Sequence, residues 1–321
     1  MSDWVPEEFA ACASRPVVVV TGPTATGKTR LAVALAREFG GEILSVDSRQ
    51  VYRGMDIGTG KDLSEYSEGG APVPCHLVDV AEPGAAYDLY RFLKDARKCF
   101  CQVVARGSLP VLCGGTPLYL AALLDGYEMA GGPPDPAIRK SLEGKDTREL
   151  LEILRREASP ELLARTDITQ DRRIVRAIEI ARSGTAEIPP ALTNHIVLAP
   201  KYTRMEVRER VRLRLDARLE EGMVEEVRAL HEEGGVSWEK LEWFGLEYRY
   251  VGRYLAGRLS WQEMHDTLLT QIRQFVKRQD VWFRKLEREG HEIHWIPQGD
   301  IPQAIALVRE FLAKQEGREL L

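Results

Sequence analysis

The stretch Val17-Val18-Val19-Val20-Thr21-Gly22-Pro23-Thr24-Ala25-Thr26-Gly27-Lys28-Thr29 decides how the chain folds. Four β-branched residues in a row suit a buried strand, and the run stops at a glycine-rich turn. The residues after the turn carry Leu31, Leu35 and Phe39 on one side, which is the period of a helix. Gly22 and Gly27 lie five apart with Lys28 and Thr29 directly behind, the spacing of a phosphate-binding loop in its strand-to-helix context. Glycines let backbone N–H groups close on phosphate oxygens, and the positive end of the helix faces the same anion. Lys28 adds a point charge, and Thr29 a hydroxyl suited to Mg²⁺. The fold class this predicts is α/β, a P-loop NTPase-like core with a mostly parallel sheet.

Outward from the loop, Gly40-Gly41 ends the helix and Glu42-Ile43-Leu44-Ser45-Val46 reads as a second buried strand. It runs into Asp47-Ser48-Arg49-Gln50-Val51-Tyr52-Arg53-Gly54. Loops at the carboxyl ends of strands in an open α/β sheet line the ligand crevice, so Asp47 is placed beside the P-loop, as a base or as a turn-capping carboxylate. The sequence predicts a strand at 76–80, a helix at 87–105 and a strand at 109–113 that ends in Gly114-Gly115-Thr116, bringing Thr116 to the same crevice. From Gly131-Gly132-Pro133-Pro134 to Pro189-Pro190 the composition shifts to short charged helical segments, an insertion bounded by hinge residues. The domain reading is a core of 1–126 and 194–321 around an inserted small helical domain at 127–193.

After a returning strand at 196–199, residues 205–230 read as one long amphipathic region with Arg208, Arg210, Arg212 and Arg214 near its start. Residues 272–288 project Ile272, Phe275, Trp282, Phe283 and Leu286 onto one face and Arg273, Lys277, Arg284 and Arg288 onto the other. Such a ridge is suited to a phosphate backbone. A strand at 293–296 and a helix at 301–314 close the chain.

The 321 residues suffice for a large core, and a net charge of −5 argues against indiscriminate nucleic-acid binding without excluding a local basic surface. Five cysteines form an odd set in no zinc or redox spacing, the pattern of free thiols in a reducing cytoplasm. No apolar run approaches bilayer length, and Asp3, Glu7 and Glu8 stand where a signal peptide would be basic, so the expectation is a cytoplasmic protein without a membrane span.

The P-loop by itself fits a nucleoside or small-molecule kinase equally well. The ordered set of Gly22 to Thr29, then Asp47 to Thr59, then Gly114-Gly115-Thr116-Pro117-Leu118-Tyr119, then Arg172-Arg173-Ile174-Val175-Arg176-Ala177-Ile178-Glu179, then Lys277-Arg278-Gln279 with Trp282-Phe283, resembles the tRNA dimethylallyltransferase family. The Asp-Ser-x-Gln-Val-Tyr-Arg-Gly-x-Asp-Ile-Gly-Thr segment is its most specific part. The resemblance implies transfer of a dimethylallyl group from dimethylallyl diphosphate to the exocyclic amine of the adenosine 3′ of the tRNA anticodon, with Mg²⁺, by a monomer. It implies catalytic roles for Asp47 (base), Lys28, Thr116 and Arg214, with Arg210 the alternate leaving-group arginine. It implies a diphosphate cradle of Gly22, Pro23, Thr24, Ala25, Thr26, Gly27, Lys28 and Thr29, the last also the metal ligand. The tRNA anticodon stem-loop would meet Asp47, Ser48, Arg49, Gln50, Thr116, Arg139, Arg172, Arg173, Arg176, Trp243, Gly245, Tyr248, Arg273, Lys277, Arg278, Gln279 and Arg284. The chain departs from the family pattern at Pro117 and at Gly245-Leu246-Glu247, where a Gly-Tyr-Lys/Arg signature is usual.

Overall fold

The computed structural model describes residues 6–126, 132, 134–183 and 190–319. It divides into two compact units, Met1–Leu124 with Leu192–Leu321, and Asp125–Ala191. The first part of the larger unit contains α1 (Pro6–Cys12), β1 (Val17–Val20), α2 (Lys28–Phe39), β2 (Gly41–Ser45), β3 (Cys75–His76), α3 (Leu89–Ala105), β4 (Leu109–Cys113) and α4 (Pro117–Leu124). The smaller unit contains α5 (Pro136–Leu142), α6 (Thr147–Glu157), α7 (Pro160–Arg165) and α8 (Asp171–Ser183). The chain then returns through β5 (His195–Lys201), α9 (Arg204–Glu220), α10 (Met223–Glu232), α11 (Trp238–Phe244), α12 (Leu246–Leu255), α13 (Trp261–Arg288), β6 (Ile293–Pro297) and α14 (Ile301–Glu319).

All six strands are parallel, in the order β3-β2-β4-β1-β5-β6. Every residue of β1 and β2 is buried, as a central strand covered on both faces requires. Helix α2 lays Leu31, Leu35 and Ala36 on the sheet, against Val18, Val20, Ile43, Val111 and Leu198, while Ala304 and Val308 of α14 join the same core. Burying each of the larger side chains contributes about 1.5–3 kcal/mol. Parallel strands all point one way, so β1, β2 and β4 deliver their following loops to a single edge.

Several boundaries differ from the sequence reading for local reasons. The strand predicted at 76–80 ends at His76, because Leu77 and Asp79 take left-handed backbone conformations (φ 65° and 55°). Buried Lys61 holds that corner, its Nζ donating to Tyr52 O, Asp56 Oδ1 and the Asp79 carboxylate. The helical region at 205–230 is two helices, broken at Gly222 (φ 106°). Helix α13 starts eleven residues before Ile272, at a capping box between Ser260 and Glu263. Its buried side includes Val276 and Gln279, whereas Phe275 turns into the crevice described below.

The smaller unit has its own core of Leu142, Leu150, Leu154, Leu162, Ile174 and Ile178. Glu179, fully buried, accepts from Arg139 Nε (2.8 Å), Arg176 Nη1 (3.2 Å) and the Asp135 backbone N–H (3.0 Å). Among the described residues no helix is long and apolar enough to cross a membrane.

Candidate active site at the ends of three parallel strands

A crevice of about 770 Å³ opens where β1, β2 and β4 end, lined by the P-loop, the segments 47–50 and 58–66, residues 113–116, and faces of α9, α12 and α13. The P-loop is shaped by its own backbone: Gly27 sits at φ 79° ahead of α2, Ala25 is also left-handed at φ 63°, and Thr26 Oγ1 donates to Pro23 O at 2.8 Å. Lys28 Nζ donates to Pro23 O at 2.8 Å. Burial, with the Arg214 cation beside it, lowers the Lys28 ammonium to about 8.

The β4 turn locks onto the loops on either side. Thr21 Oγ1 donates to Gly114 O (2.9 Å), and Thr116 Oγ1 accepts from the Ser48 backbone N–H (2.9 Å). A methyl on Gly114 would lie 2.2 Å from Val46 O, so only glycine lets β2 and β4 end this close together. Thr116 thereby fixes the segment that starts at Asp47. The Asp47 carboxylate does two things: Oδ1 accepts from the Arg49 N–H (2.8 Å) and the Gln50 N–H (3.4 Å), and the side chain lines the crevice. The turn that Asp47 caps orients it at the crevice.

Helix α9 brings Arg210 and Arg214 to the P-loop, where Arg210 Nε donates to Ala25 O (2.7 Å) and Arg214 Nη1 to Thr24 Oγ1 (2.9 Å). Burial and then the charge of Arg218 lower the Arg214 guanidinium to about 10. Cations concentrated at a helix N-terminus and a ring of backbone amides make a strong anion site.

A family profile described as IPP transferase matches residues 50–286, and one described as isopentenyl transferase matches residues 15–71. A tRNA dimethylallyltransferase 1 from Syntrophus aciditrophicus is 46% identical over 295 residues, covering 90% of this chain and 95% of that one. The chain belongs to the IPP transferase family. A tRNA dimethylallyltransferase 2 from Trichlorobacter lovleyi is 47% identical over 293 residues, covering 90% and 94%. The crystal structure of a full-length tRNA isopentenylpyrophosphate transferase from Bacillus halodurans superposes with a TM-score of 0.70 at 28% identity, covering 95% of this chain and 99% of that one. A eukaryotic dimethylallyltransferase captured acting on tRNA superposes with a TM-score of 0.78 over 94% of this chain and 80% of that one, and at 21% identity it speaks for the fold alone.

Within this IPP transferase chain the residues assigned to tRNA fall into different surroundings. Arg49 lies at the crevice mouth, its guanidinium 4.5 Å from the ring of Trp243, which is 52% exposed. Lys277, Arg278 and Arg284 are exposed on α13, and Arg273 is half-buried. Gln279 is 3% exposed, accepts from the Thr24 N–H (2.9 Å) and donates to Gly115 O (3.1 Å). It braces the P-loop to the β4 turn and lines the crevice. Tyr248 is likewise buried, its hydroxyl donating to Glu226 Oε1 at 2.8 Å. Gly245 takes φ 79° to start α12 beneath it. In the smaller unit Arg139 and Arg176 are tied to Glu179 and Arg173 to Asp167, while Arg172 reaches Gln170 and stays exposed.

Glu226 and Arg218 were not picked out from the sequence. Glu226 accepts the backbone N–H groups of Asp56 (2.8 Å), Ile57 (2.7 Å) and Gly58 (3.0 Å), pinning the loop whose Gly60 carbonyl accepts from Gln50 Nε2 (2.9 Å). Nothing sets Glu226 apart in sequence from Glu225 and Glu232 on the same amphipathic helix. Arg218 had a signal in its spacing: Arg210, Arg214 and Arg218 recur every four residues, one face of a helix.

Proposed function

We propose that this crevice transfers a dimethylallyl group from dimethylallyl diphosphate to the exocyclic amine of the adenosine 3′ of the tRNA anticodon, releasing diphosphate. The observation that carries the reading is Asp47 and a P-loop in one crevice, with Lys28 and Arg214 beside them. Residues 22–29 hold the diphosphate through backbone amides and the Lys28 ammonium. As the allylic C–O bond breaks, negative charge grows on the leaving group and is met by Lys28, Arg214 and the loop amides. Removing one such donor typically costs about 3–4 kcal/mol of barrier. The adenine nitrogen forms the new bond to the allylic carbon, and Asp47 takes the proton it sheds. That step is worth roughly 10²–10⁴ in rate. The adenosine must leave its stack to enter the crevice.

The Thr29 hydroxyl lines the crevice beside the phosphate cradle, and the described residues hold no group of three or more His, Cys, Asp or Glu able to hold a metal ion. One hydroxyl together with phosphate oxygens and water is a donor set that suits Mg²⁺. Bound there, the ion would neutralise diphosphate charge. The exposed cations of α13 and the Arg49–Trp243 pair are the surfaces we assign to the anticodon stem-loop, and the unit of α5–α8 to clamping it. We assign the protein a monomeric state, as the family resemblance implies, and the cytoplasm, where tRNA is. Mass spectrometry of bulk tRNA incubated with the protein, dimethylallyl diphosphate and Mg²⁺ tests the reading. One added five-carbon unit on adenosine is expected; unmodified tRNA from a lacking strain, with the donor intact, contradicts it.

A further inference from the structure

Helix α9 carries arginines at 210, 214 and 218, and all three line the crevice. Two are engaged with the P-loop, as described above. Arg218 is different: it is 7% exposed, and its Nη2 is buried without a hydrogen-bond partner. The closest carboxylate oxygen paired with it is Asp62 Oδ1 at 3.8 Å, beyond hydrogen-bond reach. A buried charged donor left without an acceptor is costly, so such groups are expected to find one when the site is filled.

Arg218 and Arg214 also crowd the same point. A methyl on Gly60 would lie 1.5 Å from Arg218 Nη2 and 2.3 Å from Arg214 Nη2, so both guanidinium edges converge on the Gly60 α-carbon. Like charges packed side by side repel, and the repulsion is felt within the cluster: Arg218 helps lower Arg214, which in turn helps lower Lys28. Four carboxylates line the crevice, Asp47, Asp62, Glu65 and Glu247, and burial pushes the Glu65 carboxyl up. Burial pushes the Glu247 carboxyl up despite the pull of Arg218 and Arg214, so that counter-charge is itself weakened. The cluster therefore calls for an anion of higher charge than one carboxylate supplies.

We propose that Arg218 is a third cationic ligand of the donor's diphosphate, one helical turn beyond Arg214, making the crevice select the full diphosphate over a monophosphate. The proposal rests on reading this crevice as a prenyl diphosphate site. A residue that only neutralised Asp62 and Glu247 would affect folding without discriminating between phosphates, and this difference is what the test reads.

Isothermal titration of wild-type protein and the Arg218→Met variant with inorganic pyrophosphate and with inorganic phosphate, both with Mg²⁺, measures the selection. Loss of one charge-assisted contact should weaken pyrophosphate by about 10- to 100-fold while phosphate changes by less than about threefold. In prenylation assays the KM for the donor should rise and the KM for tRNA stay within about twofold. A folded variant that binds pyrophosphate as tightly as wild type overturns the assignment. Should Arg218→Met lack a cooperative melt, Arg218→Gln and a crystal of the wild type soaked with pyrophosphate decide instead. Arg218 Nη2 within hydrogen-bond distance of a phosphate oxygen supports the proposal, and Arg218 turned away from bound pyrophosphate refutes it. A wild type that binds no pyrophosphate at all would be a failure of the prenyl diphosphate reading itself, a separate result.

Discussion

Replacing Glu226 with glutamine probes how the crevice wall is held. The carboxylate accepts four hydrogen bonds, two backbone N–H groups on Oε2 and the Gly58 N–H with the Tyr248 hydroxyl on Oε1. A glutamine can aim its carbonyl at Asp56 and Ile57, and its amide can donate to the Tyr248 oxygen. The Gly58 N–H then faces another donor, and the remaining bonds lose their charge assistance. One lost bond to a charged acceptor plus weakening of the others amounts to about 2 kcal/mol, or roughly 4–8 °C of melting temperature for a unit of this size. Because the loop also sets Gly60, which meets Gln50, Arg214 and Arg218, kcat/KM should fall by about tenfold or more. Urea denaturation followed by circular dichroism, paired with steady-state prenylation, checks both numbers. A variant whose midpoint and kcat/KM both match wild type would refute the claim that Glu226 holds the 56–60 loop in place.

Three further outcomes follow from the same geometry. Gln279→Ala should weaken pyrophosphate by about tenfold through loss of the P-loop brace while leaving tRNA affinity within about twofold, measured by titration; the opposite pattern would make Gln279 an RNA contact instead. Because Lys28 is lowered to about 8 from a free value of 10.5, the folded protein holds fewer protons than the unfolded chain between those values, so this group's contribution to stability rises with pH across that window. The same sign makes pyrophosphate binding above pH 8 take up protons, visible as binding enthalpy that depends on the buffer's ionisation heat, and Lys28→Met should abolish the dependence. Glu179→Ala should destabilise the α5–α8 unit by about 1–3 kcal/mol, since the Asp135 N–H loses its acceptor while Arg139 and Arg176, 50% and 30% exposed, turn to water and Arg176 keeps the Gly132 carbonyl, and hydrogen exchange at α5 and α8 reads that directly.

What the sequence disclosed was the part of the molecule built from strong local signals. Four valines running into a glycine-rich turn leave little alternative to a buried strand and an anion-binding helix start, and three strand ends placed Asp47, Lys28 and Thr116 together correctly. The family resemblance rested on those loops and on the runs at 172–179 and 277–283. The less legible residues are those whose role depends on where their side chain points after tertiary packing. Gln279 sits beside two cations on α13, so periodicity alone could not tell an inward brace from a surface contact. The strand was read through to Val80 because 77–80 is mostly apolar and β-branched, whereas Lys61 and the left-handed Leu77 and Asp79 impose a corner. In the smaller unit the arginines of α8 looked like a free basic face, and the acid that neutralises one of them, Arg176, together with Arg139 of α5, is Glu179, one turn along the same helix and buried in the unit.

The account stands on Asp47 acting on the acceptor amine inside the P-loop crevice. Its most direct test is the single-turnover prenylation rate of Asp47→Ala with saturating tRNA and dimethylallyl diphosphate. The prediction is a rate lower by roughly 10²–10⁴, with tRNA and pyrophosphate affinities close to wild type. A near-normal rate at saturation, in a variant that binds both ligands, would contradict it.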